Sequence, residues 1–91
     1  MSAAIVRVGK KPVSRYINLC LVFFHSGYDV VRIRARGSRI PKAIEIAERV
    51  RKYFMRNVLI EKVEIGSDMI TMHGGIPRRI STIIITLRRG E

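Results

Sequence analysis

The chain has 91 residues, a hydrophobic share of 47% and a formal net charge of +11, with a sequence pI of about 11.1. That length suits one domain spanning residues 1–91 and excludes a second, and the apolar share is enough for a core. So large a charge excess costs the compact state stability through self-repulsion, and an anionic partner is its simplest cause.

Ala4 to Val8 reads as a short strand that Gly9-Lys10-Lys11-Pro12 stops. Pro12 suits a first helical turn, so a helix is expected from Pro12 to Ser26, ending at Gly27. Val13, Ile17, Cys20, Leu21 and Phe24 share one stripe, while Leu19, Val22 and Phe23 widen the apolar zone beyond it. Such a helix is expected to be deeply buried or to pack on a second chain. Its apolar run, Leu19 to Phe24, is far shorter than the ~20 residues of a membrane span. Cys20 is the single cysteine, which leaves no internal disulfide or metal cluster to expect and reads as a small buried hydrophobe. Met1-Ser2-Ala3-Ala4 leads straight into a strand-like segment, so no signal peptide and an intracellular, soluble protein are expected.

Tyr28 to Arg36 is the most telling segment. As a strand with period two, it sends Arg32, Arg34 and Arg36 to one face and Ile33 and Ala35 to the other. Like charges at that spacing repel, and a polyanion laid across them turns repulsion into attraction. Arg32, nearest Asp29, is expected to be the structural one of the three. Gly37 to Pro41 then opens a second helix, with Ser38 or Arg39 near its cap. Ile40, Ala43, Ile44, Ala47, Val50 and Phe54 follow the 3.6-residue period, and Glu45 with Arg49 and Glu48 with Lys52 form favourably ordered i,i+4 pairs. A long strand region runs from Asn57 to Gly66, with a bulge expected at Gly66-Ser67 before Met69 to Met72 continues it. His73 to Arg79 reads as a flexible basic loop tip, and Ile80 to Arg88 as the returning strand. The fold class is α/β in the broad sense, an α+β two-layer sandwich. The order β-α-β-α-β-β gives a mixed four-stranded sheet with two helices on one face.

Charge is distributed unevenly: +8 over residues 1–44, zero over 45–68 and +3 over 69–91. Binding is therefore expected in the first half and near the C-terminal hairpin. No catalytic residue emerges: His25 and His73 belong to no HExxH or Cys-His pattern, Gly74-Gly75 is no Walker loop, and no convergent carboxylate pair exists. The chain is read as no enzyme, with no cofactor and no metal. The candidate binding residues are Lys10 and Lys11 beside a helix N-terminus, Arg15 one turn on, Arg34 and Arg36 on the strand, Arg39, and Arg78 and Arg79 near the hairpin tip. Most aromatic residues fall within apolar stripes, which argues against stacking-driven single-strand binding.

Gly9-Lys10-Lys11-Pro12-Val13, Arg34-Ala35-Arg36-Gly37, Ile40-Pro41-Lys42-Ala43 and Arg79-Ile80-Ser81-Thr82-Ile83 occur together in the order and spacing of one family. In them the chain resembles Alba, the small basic chromatin proteins of archaea, from about Val6 to Arg89. The resemblance implies the fold of the C-terminal domain of a bacterial translation initiation factor. It also implies a homodimer, or a heterodimer with a related chain, that binds double-stranded DNA with little sequence preference and in many members RNA. The family's paired lysines fall on Lys10 and Lys11, the first matching a lysine whose acetylation weakens DNA binding in some members, which implies an acetylase and a deacetylase as partners. Its second-strand basic positions fall on Arg34 and Arg36, its minor-groove hairpin arm on His73 to Arg79, and its aromatic contact between neighbouring dimers on Phe54. The chain departs from the family where Ser38, followed by Arg39, stands in place of an arginine directly after Gly37.

The leading reading is a dimeric protein that coats and compacts a chromosome, cytoplasmic and nucleoid-associated. The alternatives are an RNA-binding protein or ribonucleoprotein subunit, and a structural protein whose basic face docks an acidic partner.

Overall fold

The computed structural model describes residues 3–71 and 73–90. Its strands are β1 (Ala4–Arg7), β2 (Val30–Arg36), β3 (Val58–Thr71) and β4 (Pro77–Arg89), and its helices are α1 (Val13–His25) and α2 (Ile40–Arg49). Sheet order is β1-β2-β4-β3, with β1 parallel to β2 and the other two pairs antiparallel. Two helices on a mixed four-stranded sheet make the α+β fold that the element order implied. Met72, expected at the end of a strand, lies outside the described residues.

The core follows from alternation. Val6, Val31, Ile33, Ala35, Ile83, Ile85 and Leu87 turn one face of the sheet inward, where they meet Tyr16, Ile17, Cys20 and Phe24 of α1 and Ala43, Ile46 and Ala47 of α2. Burial pushes the Cys20 thiol up to about 12, so it stays protonated and packs as a hydrophobe. Leu19 and Val22 remain exposed, so α1 is buried along one face only.

Local chemistry ends each helix where the sequence signals it. Gly27, at φ 105°, follows the C-cap of α1; its N–H donates to Phe24 O and the Tyr28 N–H to Phe23 O. This is a Schellman motif, and the Phe23 and Tyr28 rings close it edge-to-face at 5.4 Å. Arg39 stands at the N-cap of α2, as the sequence suggested, without a side-chain hydrogen bond there; a 3-10 turn over Gly37–Arg39 leads in, and the Ile40 N–H donates to Gly37 O. At its far end α2 widens into a π-helical turn, Val50–Phe54, closed by the Met55 N–H on Val50 O. The extra residue breaks the 3.6-residue stripe, so Phe54 and Tyr53 stand exposed rather than in the core. Both anticipated helix ion pairs form, Glu45–Arg49 at 2.6 Å and Glu48–Lys52 at 3.3 Å, and Arg51 adds a third on Glu48 at 2.7 Å.

Two sequence expectations are corrected. The β3/β4 irregularity lies between Ile60 and Lys62, whereas Gly66 and Ser67 pair regularly with Thr82 and Ser81. Flexible glycine does not by itself make a bulge. Asp29 holds Arg89 at 3.0 Å, not Arg32, and Arg89 also donates to Phe24 O, tying the last strand to the end of α1.

Gly37 sits at φ 56°, and a Cβ there would lie 2.9 Å from Ile80 Cδ1. Because left-handed backbone costs an L-residue ~1–2 kcal/mol, Gly37→Ala is expected to lower unfolding free energy by about that amount in urea titrations.

Candidate nucleic-acid interface

Burying Val31, Ile33 and Ala35 leaves Arg32, Arg34 and Arg36 exposed on the open face of the sheet. Arg7, from β1, stands directly opposite Arg34 in the parallel ladder, and Ile5 opposite Arg32. Cross-strand like charges are destabilising, so the Arg7–Arg34 pair is not there for the fold. Across the sheet the picture changes. Arg88 is bonded to Glu61, Lys62 lies 3.9 Å from Glu64, and Arg36 lies 4.0 Å from Asp68. The Arg88 guanidinium holds the Glu61 carboxyl below its usual range and is itself raised by it. Among the described residues, Arg7, Arg32, Arg34 and Arg39 have no carboxylate within 4 Å. Positive charge is thus compensated toward β3 and free toward β1.

Lys10 and Lys11 are exposed on the loop between β1 and α1, and the loop is not loose. The buried Tyr16 hydroxyl accepts from the Gly9 N–H at 2.8 Å and the Lys11 N–H at 3.2 Å. Lys42, reaching across from α2, donates to Gly9 O at 3.0 Å and Lys11 O at 2.8 Å, with its ammonium 5.9 Å from the Tyr16 ring centre. Backbone donors and acceptors on both sides of Lys10 are occupied, which leaves the two lysine side chains pointing free of the scaffold.

Two hollows join these groups into one surface. The first, about 600 Å³, is lined by Arg7, Arg34, Arg36, Arg39 and Asp68; the second by Arg7, Lys11, Arg15, Asn18 and Leu19 among others. Arg7 belongs to both, so the cations run from Arg15 and Lys11 through Arg7 to Arg34, Arg36 and Arg39. The predicted residues Lys11, Arg15, Arg34, Arg36 and Arg39 are thereby brought together, with Lys10 beside Lys11.

Arg78 and Arg79 do not join them. The sequence suggested a loop tip from His73 to Arg79, but Pro77, Arg78 and Arg79 pair with Thr71, Ile70 and Met69 inside the long β3/β4 arm. Proline opens the strand without interrupting its ladder, and the described tip is His73 to Ile76, with Gly74 and Gly75 at positive φ. Arg79 donates to Ser67 Oγ at 3.4 Å. Phe54 lies at the end of the π turn and is 55% exposed, available for contact.

Sequence reasoning missed Arg7, Tyr16 and Lys42. The period-two alternation of Ile5, Val6, Arg7 and Val8 carried the signal for Arg7. Tyr16 reaches Gly9 and Lys11, seven and five positions back, yet read in the sequence only as part of an apolar stripe, and Lys42 acts across 26 positions or more.

Residues 4–67 match the sequence model described as Alba. The structure of Alba from Thermoplasma volcanium superposes with a TM-score of 0.89 at 32% identity, covering 93% of this chain and 99% of that one. The chain belongs to the Alba family. Alba proteins are nucleic-acid-binding chromatin proteins, a structural family that is generally not enzymatic. ALBA1 from Trypanosoma brucei shares the fold, with a TM-score of 0.78 at 20% identity over 96% of this chain and 69% of its own.

Within this Alba domain, the Tyr16 hydroxyl shapes the lysine loop without adding charge. Tyr16→Phe is therefore expected to weaken nucleic-acid binding roughly fivefold, the worth of about one net hydrogen bond, while the salt slope of binding stays unchanged. In a double-mutant cycle with Lys10→Gln the two losses should be sub-additive; strict additivity would separate Tyr16 from the lysines.

Proposed function

We propose that this Alba-family protein binds double-stranded DNA as a dimer, with little sequence preference, and coats and compacts the chromosome in the nucleoid. The observation that carries this reading is the cation tract from Arg15 through Arg7 to Arg39, in which, among the described residues, Arg36 alone has a carboxylate within 4 Å. Lysine and arginine side chains on such a surface meet phosphates, which fix position but carry no base information. Lys10, Lys11, Arg34, Arg36 and Arg39 hold the backbone, and Arg78 and Arg79, on opposite faces of the β3/β4 arm, straddle the duplex as the arm approaches a minor groove, where narrow walls strengthen the negative potential. Lys10 is exposed and lies at the tethered loop, so an acetylase can reach it and a deacetylase restore it. Acetylation removes its charge.

Dimerisation is supported by a bare strip of sheet. Ile60, Val63 and Ile65 pair with Leu87, Ile85 and Ile83 and so share the helix-facing side, yet Ile65 is 84% exposed because no helix reaches β3 there. An apolar strip of this kind on a small domain marks a protein contact, and a second copy supplies a matching surface, whether from the same chain or a related one. Phe54, exposed beside Tyr53, offers an aromatic contact between neighbouring dimers on one duplex.

Neutralising ~5 phosphates per protomer predicts a log–log salt slope near −4.5 per protomer, and Lys10→Gln should reduce it by ~1. Fluorescence titrations from low to moderate salt measure both; a slope near −1 overturns phosphate-dominated binding. Matched duplex RNA serves as competitor, and preferential displacement of the DNA would transfer the same surface to an RNA ligand. For the dimer, Ile65→Glu is expected to shift the sedimentation mass to that of one chain and to weaken duplex binding by removing half of the linked contacts.

A further inference from the structure

Beyond duplex binding, we propose that the hollow on the open face of the sheet is a site for a short chain of linked phosphates. Arg7 and Arg34 face one another across the β1/β2 ladder, Arg36 follows two residues on, and Arg39 closes the rim from the 3-10 turn. Four arginines line a concavity of about 600 Å³ whose single carboxylate, Asp68, lies 4.0 Å from Arg36 with both groups more than half exposed. Three positive charges are left uncompensated around one small volume. The Thr82 side chain, opposite Arg36 in the β2/β4 ladder, adds a hydroxyl to the lining.

The shape selects the ligand class. A rigid duplex presents its phosphates singly along a convex cylinder and offers these arginines one phosphate at a time. A flexible triphosphate enters it and offers several oxygens to guanidinium forks, which bind phosphate in bidentate fashion where a lysine acts as a point charge. A charge of three to four on the ligand matches the surplus on the protein. Asp68 stands where an anion would approach Arg36, so it opposes the ligand electrostatically. The chemistry is common to inorganic tripolyphosphate, a nucleoside triphosphate and the 5′-triphosphate end of an RNA strand.

Calorimetric titration of the full chain at fixed ionic strength tests this. Tripolyphosphate is expected to bind at least about tenfold more tightly than orthophosphate, since each further charge-assisted bond is worth about that factor. Arg7→Gln and Arg39→Gln should each weaken tripolyphosphate by about tenfold, and Lys10→Gln by less than about twofold. Asp68→Asn should tighten it about threefold, as removing an exposed like charge does, a gain that misfolding cannot mimic. Equal affinity for orthophosphate and tripolyphosphate, or an equal loss on Lys10→Gln and Arg7→Gln, would reduce the site to a diffuse field and overturn the proposal. ATP, and a short RNA with a 5′-triphosphate against the same RNA with a 5′-hydroxyl, then assign the source through the same arginine dependence. Duplex DNA is titrated in parallel. Duplex binding without tripolyphosphate binding refutes this site and leaves the proposed function standing, and the reverse refutes only the latter.

Discussion

One constraint orders everything on the open face of this protein: the apolar side of β2 must lie under the helices. Val31, Ile33 and Ala35 are fully or nearly buried, and the strand's period of two then fixes Arg32, Arg34 and Arg36 on the other side. A slip of one residue would drive three guanidinium groups into the core, so register here is defended by the whole hydrophobic effect of the β2 face. The same logic on β1 turns Val6 inward and Arg7 outward, into register with Arg34. Packing thus fixes which face these side chains occupy, while nothing in the packing requires them to be arginines. Their electrostatic cost is borne by a core that closes without a charged side chain.

The lysine loop follows a different rule, in which polar groups rather than apolar ones set geometry. Gly9 and Lys11 each have their N–H and C=O engaged, the donors by Tyr16 and the acceptors by Lys42. Ordering a flexible loop in advance removes conformational entropy that a ligand would otherwise have to overcome on binding. Lys42 also shows that a basic residue in a basic protein need not face a ligand. Its ammonium is used internally, on backbone carbonyls and over an aromatic ring.

Much of this was legible in the chain because it is periodic or local. The β2 arginines, both helices, Pro12 and Gly27 as boundaries, and the i,i+4 ion pairs are each visible within a window of a few residues. The Alba motifs carried the fold for a related reason: four short segments in fixed order constrain a chain more than any one of them does. What stayed hidden depends on tertiary distance. Asp29 bonds Arg89 rather than its neighbour Arg32, a pairing across 60 positions that the C-terminal strand alone brings about. Arg78 and Arg79 looked like loop residues because glycine and proline precede them, yet the β3/β4 ladder extends through both. Phe54 kept helical spacing in the sequence and lost it in the fold, since no local signal announces a π turn.

The carboxylates give the surface its direction. All seven acidic residues but Glu91 lie in the described chain, and each has a basic partner, five of the six from Glu45 onward in sequence. On the sheet they compensate Arg88, Lys62 and, loosely, Arg36, which flattens the potential over β3 and the base of the arm. Toward β1, among the described residues, no carboxylate lies within 4 Å of Arg7 or Arg34, and the Lys10–Lys11 loop lies at that same edge. An approaching polyanion therefore meets a gradient across the sheet rather than a uniform positive face, and field lines concentrate where the surface is concave. Net charge alone would draw it to the molecule; the placement of six carboxylates makes that attraction strongest on the β1 side of the sheet.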